Sequence, residues 1–236
     1  MNFRRFIGKC KAAQYIISGT VYPSFSQSGE DQIIRYLLNA LKISNPSYLD
    51  IGANHPIIAN NTYLFYSRGG TGVCVEPDHD FYSIIRKKRP RDVCLNIGIG
   101  VNDTSDAKLF VFPPPYTGWN TFSEAEALKR EAETGIKITE QRNVQLININ
   151  SIIEKYFGAA PNLISLDVEG LDLAILKSLD FTRFAPEVLC VESITFSMSN
   201  KEEKVHDISQ FLDSKGYFAF GDSHVNTIFC RSDAYK

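Results

Sequence analysis

Three short stretches carry acids at places where a strand would end. In "YLDIGANHP" (48–56) an apolar run leads into Asp50, Gly52 and Asn54. Gly52 allows a tight turn and close approach of a ligand, and Asp50 and Asn54 add an acceptor and a donor beside it. Further on, "GVCVEP" ends on Glu76, and Pro77 then stops the ladder. A carboxylate at the tip of a second strand suits bidentate hydrogen bonding to a ribose diol. The third stretch, "LISLDVEGLDL", sets Asp167 and Glu169 at the end of another apolar run. Residues i and i+2 of a strand point the same way, so both carboxylates face one crevice if the strand stays regular to Glu169. Acids that close repel, which raises one pKa and makes a better general base for a hydroxyl. The expected roles are Asp167 as base and Glu169 orienting it or gripping the acceptor. The competing reading of Glu169 is a cap on the helix that starts near Gly170.

The turn after the first strand separates two cofactor classes. A dinucleotide requires G-x-G-x-x-G, so that backbone can meet the pyrophosphate. Here the turn reads "GANHPI", without the second and third glycines. S-adenosylmethionine has a ribose and an amino-acid end but no phosphate, and one glycine, nearby polar groups and one acid suffice for it. A methyltransferase is therefore expected. A nicotinamide-dependent oxidoreductase and a non-catalytic Rossmann-like binding module stand as alternatives. Methyl transfer from a sulfonium is an in-line displacement, for which an enzyme supplies mostly alignment and a dry pocket.

These tips need a sheet to hold them. Strand-like runs lie at 47–53, 72–76, 93–99, 162–168, 187–193, 217–221 and 226–231. Helical periods lie between them near 59–68, 78–89, 171–179 and 201–214, with another from about Ser28 that has Glu30 and Asp31 in its first turn. This alternation predicts an α/β fold with a mainly parallel sheet covered by helices on both faces. The last two strands are joined by so little chain that they must form an antiparallel hairpin. Residues 101–145 break the rhythm. They carry three prolines, then Tyr116, Gly118, Trp119 and Asn120, then a polar helix from Ser123 with Glu126 completing a capping box. They read as an insertion, a lid over the sheet. The expected organisation is one domain over 1–236, with 1–25 as an N-terminal extension.

Bulk properties narrow the partners. The chain has 236 residues, 44% of them apolar, and a net charge of -2. No basic stripe argues for nucleic acid. The run "RKKRPR" (86–91) reads as a solvated helix end, with an anionic substrate or membrane surface as the sharper reading. Cys74, Cys94, Cys190 and Cys230 sit inside apolar runs, and none of the five cysteines has metal-ligand spacing, which suits a reducing cytoplasm. The N-terminus has arginines but no apolar stretch long enough to span a membrane, leaving room for a peripheral contact. Asp167, Glu169 and His224 or Asn226 could ligate a divalent cation, but the spacing is not diagnostic and no metal is assigned. No pattern specifies an oligomer.

"FSQSGEDQII", "YLDIGANHPIIANNTYLFY", "GVCVEPD", "LISLDVEGLDLAIL" and "PEVLCVES", in this order, resemble the FkbM-like methyltransferases from about Ser26 to the end of the chain. The resemblance implies a class I methyltransferase (Rossmann-like) fold, a seven-stranded sheet with an antiparallel last strand. It also implies S-adenosylmethionine as cofactor and O-methylation of hydroxyls on sugars or natural products. Carried over by position, Asp50, Gly52 and Asn54 line the methionine end and Glu76, followed by Pro77, the ribose. Asn96 and Ile97 lie near the adenine. Many relatives have an acid after the asparagine; this chain has His55-Pro56, which leaves the role of His55 open.

The remaining candidates surround that frame. His55 follows the cofactor turn and is a candidate to touch the acceptor, whereas His79 and His206 read as surface residues. His224, in the final hairpin, and Glu192, at the end of the fifth strand, are candidates for acceptor binding. Tyr116 and Trp119 could lay aromatic faces on sugar C–H surfaces, although Trp119 would equally anchor the loop. Thr62, with Asn61 and Tyr63, is expected at the cofactor's amino-acid end. Gln27 and Glu30 are expected to close over the cofactor, with Ser28 capping the helix. The acceptor is expected to be a sugar, glycan or related small molecule, and not a nucleic acid.

Overall fold

The computed structural model describes residues 13–19, 21–101, 105–168, 170–195 and 203–236. In chain order the named elements run α1 (Glu30–Ala40), β1 (Ser47–Ile51), α2 (Tyr63–Ser67), β2 (Thr71–Val75), α3 (His79–Lys88), β3 (Val93–Leu95), β4 (Gly98–Gly100) and β5 (Asp106–Val111). They continue as α4 (Glu124–Thr134), β6 (Glu140–Asn148), α5 (Ile149–Tyr156), β7 (Leu163–Leu166), α6 (Asp172–Ser178), β8 (Val188–Glu192), α7 (His206–Ser214), β9 (Tyr217–Asp222) and β10 (Asn226–Arg231).

Apolar residues on both sides of the central strands decide the layering. Leu49 and Ile51 of β1 pack on one face with Ile152 and Ile153 of α5, Ile175 and Leu176 of α6, and Ile208 and Leu212 of α7. Tyr48, on the other face, packs with Ile34, Leu37 and Leu38 of α1 and with Phe65 and Tyr66. Ile34, Leu37 and Leu38 form an i, i+3, i+4 stripe, and burying each is worth roughly 1.5–3 kcal/mol.

The resulting sheet has seven strands in the order β3-β2-β1-β7-β8-β10-β9. β1 pairs in parallel with β2 on one side and β7 on the other, so the chain changes direction beside β1. Open sheets bind ligands in the crevice at such a switch point. β10 runs antiparallel to both β8 and β9, as the short connection required.

Four expectations are corrected. The run 93–99 is two strands: β3 joins the main sheet, whereas β4 joins a second, three-stranded sheet in the order β4-β6-β5. Asn96 makes the break, because its amide donates to the carbonyls of Glu76 and Pro77. The segment 101–145 is more than loop and helix, since it contains β5 and the start of β6, which pair antiparallel. Helix 59–68 shortens to α2, because Asn60 Oδ1 accepts the Thr62 and Tyr63 N–H groups in a turn. Ser28 does not cap α1: Gly29 is the N-cap, left-handed at φ 93, with no side-chain cap. Instead the Asp31 carboxylate reaches back to the Ser24 hydroxyl and the Phe25 N–H, both at 2.7 Å. Helix α5 escaped the sequence reading, whereas Ser123 does cap α4 by accepting the Glu126 N–H.

Candidate active site

A cavity of about 760 Å³ opens at the carboxyl ends of β1, β2, β7 and β8. Its floor is set by three strand exits held together. The Gly52 N–H donates to the Val75 carbonyl at 3.0 Å, and the Asp167 N–H donates to the Ile51 carbonyl at 3.1 Å. Gly52 has φ 78, and a Cβ there would lie 1.8 Å from the Asp167 carbonyl oxygen. Only glycine fits, for reasons of both conformation and space.

Glu76 is buried in the wall of this cavity. One carboxylate oxygen accepts the Asn54 N–H and the other the Asp78 N–H, both at 2.7 Å. A carboxylate has about four acceptor positions, so two lone pairs remain for a diol. Burial outweighs these two hydrogen bonds and pushes the carboxyl up to about 7. Below its ordinary value of 4.5 both folded and unfolded chains hold the proton. Between 4.5 and about 7 only the folded chain holds it, so stability contributed by Glu76 falls as pH rises across that window. The loss amounts to about 3 kcal/mol. Melting curves should therefore show wild type losing stability relative to Glu76→Gln as pH rises across the window. Parallel curves for the two proteins would show that Glu76 does not titrate there.

Asp50 and Thr62 do not line the cavity; they lie beneath it. Asp50 Oδ2 accepts from the Thr62 hydroxyl at 2.6 Å, the Asn60 amide at 3.2 Å and Arg89 Nη1 at 3.4 Å. Arg89, fully buried at the end of α3, also donates to Asp92 at 2.8 Å and to Thr62 Oγ1 at 2.8 Å. Burial pushes the Asp50 carboxyl up, and the Arg89 guanidinium opposes it. The network ties the turn after β1 to α3, and the Asn60 amide also holds the Ala53 carbonyl.

Other expected residues divide likewise. Gln27, Gly52, Asn54, Pro77, Ile97, Trp119, Asp167, Glu192 and His224 all border the cavity. His55 does not: its Nδ1 accepts the N–H groups of Ile57 and Ile58 at 3.1 and 2.9 Å, which ties it into the turn. Asn96 is likewise outside, engaged with backbone carbonyls. Tyr116 stacks behind Trp119, with ring centroids 4.6 Å apart, and does not reach the cavity. Glu169 lies outside the described residues. β7 ends at Leu166, one residue before Asp167. The Asp172 carboxylate accepts the Val168 and Gly170 N–H groups, at 3.3 and 3.4 Å, and so shapes the turn into α6. Glu30 is buried away from the cavity, accepting from Ser223 Oγ at 2.6 Å, the Asn226 amide at 3.2 Å and the Ser28 N–H at 2.8 Å. Burial pushes its carboxyl up, but these hydrogen bonds prevail and hold it below the ordinary value. The clamp joins the neighbourhoods of Gln27 and His224 at one rim.

Several residues at the cavity were not singled out by the sequence reading. Besides the expected Trp119, residues 117, 118 and 120–122 of the insertion line it. Asn120 anchors them: its Oδ1 accepts the Phe112 N–H at 2.9 Å, and its amide donates to Asp78 Oδ2 at 3.2 Å. Arg142 of β6 reaches the same Asp78 oxygen at 3.4 Å. Arg130 of α4 donates to the Trp119 carbonyl at 2.6 Å. Asp78 itself caps α3, and its place directly ahead of that helix was the one available signal. The others act across the second sheet, which the sequence did not reveal.

The wall fits a cationic nucleoside. The Glu76 carboxylate sits beside apolar Pro77, Phe81 and Ile97, suited to a ribose and its base. Among the described lining residues there is no Lys or Arg to balance a diphosphate. No group of three metal-ligating side chains occurs among the described residues.

The parallel sheet with its antiparallel last strand, and the site at the switch point, define a class I, Rossmann-like methyltransferase fold. The model of the FkbM methyltransferase domain matches residues 50–219, and the chain belongs to that family. Its cofactor is S-adenosylmethionine. No curated protein matches the chain. Among solved structures it is similar to an O-methyltransferase from Bacillus cereus in complex with SAH, at 12% identity and TM-score 0.43, covering 93% of this chain and 87% of that one. It is also similar to magnesium protoporphyrin IX methyltransferase from Synechocystis, at 8% identity and TM-score 0.45, covering 85% and 79%. The family assignment rests on the sequence match, not on these distant likenesses.

Proposed function

We propose that the protein transfers the methyl group of S-adenosylmethionine to a hydroxyl of a sugar, glycan or related metabolite. The carrying observation is that Asp167, Glu192 and His224 share one cavity with Trp119 and open onto the same space as Gly52 and Glu76. When bound, the cofactor supplies an electrophilic methyl on its sulfonium. Glu76 accepts the ribose hydroxyls with its remaining lone pairs, and Pro77 and Ile97 flank the base. Gln27, Gly52 and Asn54 hold the amino-acid end. Asp167 removes the acceptor hydroxyl proton as the new bond forms. Trp119 lies against the sugar C–H face, backed by Tyr116, while Glu192 and His224 hydrogen-bond the acceptor. The segment 101–145 acts as the lid that excludes water, within one domain spanning 1–236.

With no Lys or Arg on the described wall, a polyanion has no counter-charge there, which favours a small acceptor over nucleic acid. No helix among the described residues is long and apolar enough to cross a membrane. Free cysteines at 74, 94, 190 and 230 suit the reducing cytoplasm, where we place the protein. The test is calorimetry with S-adenosylhomocysteine and with NADH, followed by transfer of a labelled methyl to a panel of neutral sugars alongside amine and carbon-nucleophile acceptors. Heat with S-adenosylhomocysteine alone, and label on a sugar hydroxyl, are the expected results. Binding of NADH alone overturns the cofactor assignment; transfer only to nitrogen or carbon acceptors overturns the O-methyl reading.

A further inference from the structure

A second concave site lies at the opposite end of the sheet from the cavity. It has a volume of about 220 Å³ and borders Tyr22, Arg35, Ser44, Pro46, Phe65 and Arg68, among others. Pro46 directly precedes β1, so the site belongs to the amino ends of the strands. The Arg35 and Arg68 guanidiniums lie 4.3 and 4.2 Å from the centroid of the same Tyr22 ring. Arg35 Nε donates to Gln32 at 3.2 Å, and Arg68 meets the Tyr22 hydroxyl at 3.4 Å. Neither has a carboxylate partner among the described residues, and no acid borders the site. Two like charges share one ring without a carboxylate counter-ion, so an anion placed between them is attracted by both.

The surroundings identify the source of that anion. Immediately before Tyr22, residues 13–17 are helical, and the chain folds back so that the Val21 N–H donates to the Tyr15 carbonyl at 3.1 Å. Ile17 is 86% exposed, Tyr15 54% and Val21 50%, which puts large apolar side chains in solvent on the segment that leads into Tyr22. Tyr36, beside Arg35 on α1, is 63% exposed. The sequence contains no Asp or Glu before Glu30, but it does contain Arg4, Arg5, Lys9 and Lys11. A free phosphate would use the arginines and leave the apolar residues stranded. An anionic lipid surface uses both, with apolar side chains entering the headgroup boundary and arginines meeting phosphates.

We propose that this face docks on an anionic membrane surface, with Arg35, Arg68 and Tyr22 gripping a lipid phosphate and Tyr15, Ile17 and Val21 seated beside it. The catalytic cavity then opens away from the bilayer, and the inference stands whether or not the methyl-transfer reading holds.

The test is co-sedimentation of the full chain with vesicles of phosphatidylcholine alone, and with vesicles in which about a third of the lipid is phosphatidylserine. Wild type should sediment only with the anionic vesicles, and less so in high salt. Arg35→Gln with Arg68→Gln should lower the partition coefficient about thirty-fold, at the per-cation attraction typical of such surfaces. Ile17→Ser should lower it independently, and an unchanged melting temperature in each variant shows that the fold is intact. Equal sedimentation with both vesicle types overturns the proposal, as does a double variant that binds like wild type. Inorganic phosphate that protects wild type but not the double variant from thermal unfolding, with no sedimentation, would make this a soluble-anion site and overturn it too.

Discussion

Asp167→Asn is expected to leave the affinity for S-adenosylhomocysteine within about twofold of wild type while lowering kcat by about 10²–10⁴, the usual contribution of a positioned general base. The separation of effects follows from the geometry. The floor of the cavity is held by the Asp167 backbone, through its N–H to the Ile51 carbonyl and its carbonyl against Gly52. Asparagine preserves both backbone contacts and the side-chain shape, and replaces the carboxylate by a neutral amide that cannot take up the proton. Single-turnover kinetics with a responsive acceptor, together with calorimetry, measure the two quantities. A variant that turns over like wild type would remove Asp167 from the chemistry, and one that loses binding would make it a structural residue.

Arg89→Leu should lower unfolding free energy by about 3–5 kcal/mol, the cost of leaving buried carboxylates without their partner. Arg89 is fully buried and uses all three nitrogens of one planar group, Nε on Asp92, Nη1 on both Asp50 and Asn60, and Nη2 on Thr62. Its guanidinium also lies 5.4 and 5.3 Å from the ring centroids of Tyr48 and Tyr66. Lysine has a single donor point and cannot reproduce that fork, so Arg89→Lys should rescue little of the loss. Because the network pins the turn that carries Asn54, a weaker affinity for S-adenosylhomocysteine should accompany the lower stability. Urea denaturation reads the first effect and calorimetry the second. A stability loss below about 1 kcal/mol would place the network outside the forces that hold the site.

The two predictions fall on opposite sides of what the sequence could reveal. Asp167 was legible because chemistry and element coincide: an acid directly follows a buried apolar strand, and strand tips are where such folds bind ligands. Arg89 was not, because it sits inside a basic run that reads as a solvated helix end. Its neighbours Arg86, Lys87 and Lys88 are indeed exposed or carried on the last turn of α3, whereas the side chain of Arg89 turns inward to two acids far away in sequence or across a turn. Charge alone cannot show which of several adjacent cations will be buried, since burial depends on a partner supplied by another element.

The sequence by itself determined the sheet, its two helical faces, the glycine turn and the strand-tip acids, because these follow from local periodicity and from residues adjacent along the chain. The tertiary structure alone decided which polar groups reach the cavity. Asp50, Thr62, His55 and Asn96 stand within a few positions of the turns that border the cavity, yet none borders it and each makes its hydrogen bonds within the scaffold. Asn120 from the loop ahead of α4, Arg130 from α4 and Arg142 from β6 brace the segment that lines the opposite wall. The reason is the same throughout: a buried polar group must be satisfied, and its partner is fixed by the packing of distant elements and not by its neighbours in sequence.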